Sequence, residues 1–214
     1  MAKIKICGLT RERDIHAVNE ALPDYIGFVF AESRRQVDED KAKAMKSLLD
    51  PSIKAVGVFV NDDIGRIVRL CDSGVIDLVQ LHGDEDKEYI KTLRGCVQNG
   101  IIKAVRVRGV EDIERAMELP CDYLLLDAWH KERYGGTGTA FDWSVVPGIS
   151  KPFFLAGGIN SKNIALAIGK LNPYAVDVSS GVETGGCKDP ARIKEIVSMA
   201  RRMAGAKPDS PAGA

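Results

Sequence analysis

Eight times along this chain a short apolar run of strand length gives way to a helical pattern. That alternation limits the possible folds more than any other feature of the sequence. Strands are expected at Lys3–Cys7, Tyr25–Phe30, Ala55–Val60, Asp77–His82, Ile101–Val107, Asp122–Asp127, Phe153–Ala156 and Ala175–Val178. The first helix is expected to be capped by Thr10 and to reach Ala21, with Ile15, Val18 and Leu22 on one face. The next helices are expected over Asp38–Leu49, from a cap at Asn61 or Asp62 to Cys71, over Asp86–Leu93 and over Glu111–Leu119. A short one near Asp142–Val146, then Ser161–Gly169 and Pro190–Met203, complete the series. Strands that alternate with helices across short connections pair in parallel. Eight such units imply an α/β protein closed into a (β/α)8, or TIM, barrel; counting alone leaves an open doubly wound sheet as the alternative. The expected domain is residues 1–204, with the Pro/Ala/Gly-rich tail 205–214 frayed.

Composition narrows the function classes. Thirty basic and thirty acidic residues cancel, and no dense Lys/Arg run marks a nucleic-acid or anionic-membrane partner. The longest apolar runs, such as Ala55–Val60, are far too short to span a bilayer. The opening MAKIKICGLT enters a strand pattern with no signal-peptide core, so a cytoplasmic location is expected. Cys7, Cys71, Cys96, Cys121 and Cys187 are odd in number and lack CxxC spacing, which argues against a disulfide framework or a zinc site. His16, His82 and His130 form no metal-ligand motif.

Two stretches near the C-terminus carry the strongest chemical signal. Phe153–Ala156 runs into Gly157-Gly158, and Ala175–Val178 runs into Ser179-Ser180-Gly181. Each is read as a strand and a small-residue turn that bares backbone N–H groups before a helix N-terminus, an arrangement suited to an anion. On the last two strands of a barrel, such a pair reads as a phosphate grip. The remaining strand ends offer Cys7, Arg35, Asn61, His82, Arg106 and Asp127, a set that fits a small phosphorylated molecule with a thiol and a carboxylate as proton-transfer groups. Each has a plainer reading. Cys7 would be a small buried hydrophobe, Asp127 a loop cap or the partner of Lys131 or Arg133, and Arg34-Arg35 a solvated pair. His82 would only support a neighbour, Asp177 would be structural, and the glycines would only reverse the chain. The apolar run Tyr123–Leu126 brings Asp127 to the mouth of the core, where burial is expected to raise its pKa as a general acid requires.

In order, the segments KICGLT at 5–10, GFVF at 27–30, VGVFVN at 56–61, VQLHG at 79–83, LLD at 125–127, YGGTG at 134–138, FDW at 141–143, LAGG at 155–158 and VDVSSGVE at 176–183 resemble the phosphoribosylanthranilate isomerase family of tryptophan biosynthesis. The resemblance runs to about Met203. It implies an Amadori rearrangement of N-(5-phosphoribosyl)anthranilate to 1-(2-carboxyphenylamino)-1-deoxyribulose 5-phosphate, with no cofactor or metal. Asp127 matches the general acid and Cys7 the general base. Arg35 matches the arginine that meets the anthranilate carboxylate, although the altered loop Ala31–Arg35 leaves Arg34 as an alternative. Gly157, Gly158, Ser180 and Gly181 match the phosphate grip, while His82 and Asp177 are expected beside the substrate. Relatives of this barrel are monomers or homodimers. Cys187 is read as a neutral change in an exposed loop.

Other readings stand beside this one. An indole-glycerol-phosphate synthase relative needs a lysine acid at an inner strand end, where none is evident. A metal-dependent epimerase needs paired His and Asp ligands, also missing. A non-catalytic phosphometabolite-binding barrel would keep the grip but lose Cys7 or Asp127.

Overall fold

The structure, a computed structural model, describes residues 2–128, 146 and 148–205. Eight strands close a barrel in sequence order: β1 (Lys3–Cys7), β2 (Tyr25–Val29), β3 (Lys54–Phe59), β4 (Leu78–Leu81), β5 (Gly100–Val107), β6 (Tyr123–Ala128), β7 (Phe153–Leu155) and β8 (Ala175–Val178). Every neighbouring pair is parallel. The ring is sealed by β8 against β1, with Ile4 opposite Val176 and Ile6 opposite Val178. This closure excludes the open doubly wound sheet. The helices are α1 (Glu12–Ala21), α2 (Glu39–Ser47), α3 (Ile64–Asp72), α4 (Lys87–Cys96), α5 (Val110–Met117), α6 (Ile164–Leu171) and α7 (Pro190–Gly205). The loop and short helix expected between Trp129 and Val146 lie outside the described residues except for Val146, and so does the tail from residue 206.

Several helix starts differ from expectation. Arg11, not Thr10, is the N-cap residue of α1. The buried Asp14 carboxylate accepts the backbone N–H groups of Thr10 and Arg11, so these donors are satisfied from inside the helix. Asp63, not Asn61 or Asp62, caps α3 by accepting from Arg66 N–H at 3.0 Å. Helix α6 begins at Ile164, not Ser161, because the Asn163 side chain turns back to Asn160 N–H and the Gly158 carbonyl. The turn after β8 feeds a single 3-10 turn, Ser180–Val182, rather than an α-helix N-terminus. A small hairpin follows, β9 (Glu183–Thr184) and β10 (Cys187–Lys188), and only then α7. Cys187 is exposed on β10.

The period-two alternation of each strand divides the apolar side chains between two cores. Ile4, Ile6, Ile26, Phe28 and Val79 face outward to the helices. Tyr25, Val56, Leu78, Ile102, Leu125 and Phe154 fill the barrel interior. Each such side chain, fully buried, contributes roughly 1.5–3 kcal/mol. Near the start of the strands, Lys3 donates to the hydroxyls of Tyr174 at 2.9 Å and Tyr25 at 3.3 Å. The apolar filling sits low, which leaves the C-terminal ends of the strands for polar groups.

Candidate active site

Strand alternation chooses which side chains share the upper barrel. Lys5 and Cys7 point inward from β1, Gln80 from β4 with His82 just beyond it, Asp127 from β6, and Asp177 from β8. Cys7, Gln80, His82, Asp127 and Asp177 line one cleft. Gly157, Gly158, Ser179 and Ser180 form another wall, and Arg35 closes the cleft from the loop after β2.

Cys7 is buried at 8 % exposure. It has room because its neighbour on β2 is Gly27; a Cβ there would stand 2.6 Å from the thiol sulfur. Burial pushes the thiol pKa up, while the Lys5 and Lys188 ammonium groups pull against it. The Lys5 side chain is wholly buried and donates to Asp177 Oδ2 at 3.0 Å and Gln80 Oε1 at 2.7 Å. Burial pulls the pKa of this ammonium down, but the Asp177 charge and Cys7 more than offset it, and its pKa is raised. Asp177 Oδ1 is buried and has no hydrogen-bond partner among the described residues. It leaves one acceptor facing the cleft for a hydroxyl donor.

Asp127 is 7 % exposed, and its Oδ2 lies 3.3 Å from His82 Nε2. The other ring nitrogen, Nδ1, meets Gln80 Nε2 at 2.8 Å. A continuous polar path therefore crosses the barrel from Asp177 through Lys5, Gln80 and His82 to Asp127.

Arg35 rather than Arg34 faces this cleft. Its stem lies against Gly8, where φ is +81° and any Cβ would collide with the Arg35 side chain, so the position needs glycine twice over. The Arg35 guanidinium grips Glu183 through Nε at 2.8 Å and Nη2 at 3.1 Å. Arg34 reaches the same carboxylate from a more exposed position. Lys188, itself buried, adds a fourth bond at 2.8 Å. Burial would raise the Glu183 pKa, but the bonds from Arg35 and Lys188 outweigh it and hold the pKa below the usual carboxylate range. Burial pulls the Lys188 pKa down.

Gly157 and Gly158 both adopt positive φ, +82° and +69°, which turns their backbone toward the cleft. Gly181 does not line it. A Cβ at Gly181 would run into the Ile159 carbonyl oxygen and lie 3.1 Å from Asn160 Cα, so this glycine lets the turn after β8 press against the turn after β7. Asn61 and Arg106 also stand apart. Asn61 ties two loops together, accepting from Asp84 N–H and donating its own N–H to Glu85. Arg106 lies beside Asp84 in a neighbouring depression.

The family model described as N-(5'phosphoribosyl)anthranilate (PRA) isomerase matches residues 4–199. The chain belongs to this isomerase family. It is 51% identical over 203 residues to N-(5'-phosphoribosyl)anthranilate isomerase of Endomicrobium trichonymphae, covering 95% of this chain and 100% of that one. The crystal structure of phosphoribosyl anthranilate isomerase from Thermotoga maritima superposes with a TM-score of 0.84 at 36% identity, covering 94% of this chain and 100% of that one. A phosphoribosyl anthranilate isomerase in complex with reduced 1-(o-carboxyphenylamino)-1-deoxyribulose 5-phosphate gives a TM-score of 0.80 at 33% identity, with 94% and 100% covered.

Within this isomerase family member, sequence reasoning missed Lys5, Gln80, Glu183 and Lys188. Lys5 is buried inside the barrel two residues before the end of β1, and Lys188 lies behind the turn after β8. The signal for Lys5 was present: it stands two residues before Cys7, so a strand places both on one face. Gln80 bears the same relation to His82. Glu183 and Lys188 had no such signal, because their meeting depends on the hairpin.

Proposed function

We propose that this chain catalyses the Amadori rearrangement of N-(5'-phosphoribosyl)anthranilate to 1-(2-carboxyphenylamino)-1-deoxyribulose 5-phosphate in tryptophan biosynthesis, with Asp127 as general acid and Cys7 as general base. The observation that carries the reading is the meeting of the Cys7 thiol and the Asp127 carboxyl in a single cleft, between an arginine and a glycine-rich double turn, in a chain of this family. Asp127 donates a proton to the furanose ring oxygen. The C1–O bond breaks toward that oxygen, and the anilino nitrogen lone pair forms the iminium. The iminium acidifies the C2 proton, which Cys7 as thiolate removes, and the released electron pair makes the enolamine. Tautomerisation of the enolamine gives the ketone.

Binding divides along the same walls. The backbone of Gly157 and Gly158, with Ser180, takes the phosphate, and Gly181 sets the approach of the two turns. Arg35, already oriented by Glu183, takes the anthranilate carboxylate. Asp177 Oδ1 accepts a sugar hydroxyl, and His82 orients Asp127.

Turnover of freshly prepared substrate tests this assignment, followed optically for wild type, Cys7→Ser and Asp127→Asn. Wild type is expected to convert substrate, and each variant to lose at least ~100-fold in kcat. Binding of product without conversion by wild type would overturn the enzyme reading. Near wild-type activity in Cys7→Ser would overturn the role of the thiol.

A further inference from the structure

The polar path across the barrel has a direction set by chemistry. Lys5 is an ammonium and can only donate, so the Gln80 oxygen must face it, as it does at 2.7 Å. Reversing that amide would set its NH2 against a buried ammonium. With its oxygen fixed, Gln80 has only N–H donors to offer His82 Nδ1 at 2.8 Å. His82 Nδ1 must then accept, and the ring proton resides on Nε2, facing Asp127 Oδ2 at 3.3 Å.

We propose that Gln80, oriented by Lys5, is a positioning residue for the reaction: it holds His82 as the neutral Nε2–H tautomer, so that a hydrogen-bond donor without positive charge faces Asp127. This rests on the reading of Asp127 as the general acid. An imidazolium at that place would favour the carboxylate and strip the acid of the proton it must deliver. A neutral ring fixes Oδ2 through one hydrogen bond and leaves Oδ1 to carry the proton to substrate. Positive charge is thus set beside the Cys7 thiol, where it assists the base, and withheld from the acid. The other charges near His82 are matched among themselves: Lys103 with Glu85 at 2.9 Å from β5, and Arg106 with Asp84 at 3.9 Å. Arg35, in the same cleft, is held by Glu183. Gln80 is 1 % exposed, so water does not substitute for it.

The test is long-range 1H–15N NMR of protein labelled with 15N-histidine, the His82 signals being identified by their loss in His82→Asn. Wild type at neutral pH is expected to show the neutral Nε2–H pattern for His82. In Gln80→Met, Nδ1 loses its donor, and the ring is expected to shift toward mixed tautomers or imidazolium. In Gln80→Glu, the new carboxylate only accepts and draws a proton onto Nδ1. Both variants are expected to lower kcat by ~10-fold or more, with KM within a few-fold, the effect staying below that of losing the acid itself. An Nδ1–H or imidazolium pattern in wild type would overturn the proposal, and this readout needs no variant of Gln80 to fold. So would Gln80 variants that lose activity while His82 keeps its wild-type spectrum, since Gln80 would then serve packing alone. Cys7→Ser and Asp127→Asn, assayed beside them, separate the two levels. If these keep near wild-type turnover, the acid–base assignment fails; if they lose ~100-fold and the Gln80 variants lose nothing, only the present inference fails.

Discussion

Gly27→Ala probes the seat of the thiol without touching any group that takes part in the reaction. Gly27 lies opposite Cys7 in the β1–β2 ladder, and an added Cβ would sit 2.6 Å from the sulfur, 3.1 Å from Cys7 Cα and 3.3 Å from its Cβ. An ordinary contact begins near 3.4 Å, so the sulfur must shift by about 0.8 Å from its seat beside the cleft that it lines. Two consequences follow. Overpacking of this kind costs about 1–3 kcal/mol in stability. A base displaced by about 1 Å from its reacting proton costs up to ~100-fold in rate. Steady-state kinetics should therefore show kcat reduced 10-fold to ~100-fold, with KM changed less than kcat because Gly27 does not itself line the cleft. Urea unfolding should show the stability loss shrinking when Gly27→Ala is made in a Cys7→Ala background, where the clashing sulfur is gone. A kcat within threefold of wild type would refute the reasoning. So would a stability cost equal in both backgrounds, which would place the strain in the backbone rather than on the thiol.

Three further outcomes are expected. Gly181→Ala should raise KM by 5-fold to ~150-fold, with kcat largely retained, since forcing the two turns apart costs about 1–3 kcal/mol at the phosphate wall; titration with inorganic phosphate should weaken in parallel. Glu183→Gln should raise KM and lower the melting temperature, because one amide cannot serve the Arg34, Arg35 and Lys188 donors and leaves the buried ammonium poorly paired. Glu183 also predicts part of the acid lability: its folded pKa lies below its unfolded one, so its contribution is complete above about pH 4.5 and is lost as pH falls through the folded value. Urea unfolding from pH 7 to pH 3 should show a shallower loss in Glu183→Gln than in wild type.

Read from residues alone, the chain settles a good deal. Eight apolar runs and their helical partners fix a parallel α/β arrangement, because hydrophobic periodicity is a local property written residue by residue. The glycine pairs and the Cys7, His82 and Asp127 positions at strand ends are legible for the same reason: a strand end is found by counting along one segment. Helix starts are less legible, since Asp14, Asp63 and Asn163 compete with neighbouring residues to serve the same free N–H groups, and geometry chooses among them. Tertiary structure alone decides the rest. Closure of β8 on β1 places Lys5 between Asp177 and Gln80, partners 172 and 75 residues away in sequence. The β9–β10 hairpin brings Glu183 to Arg35 across 148 residues, and Arg35 rather than Arg34 lines the cleft. Burial then sets the charge states, because an ammonium or thiol inside the barrel is governed by the few groups that touch it. The sequence names the reacting groups; the closed barrel decides which of them meet and which charges they feel.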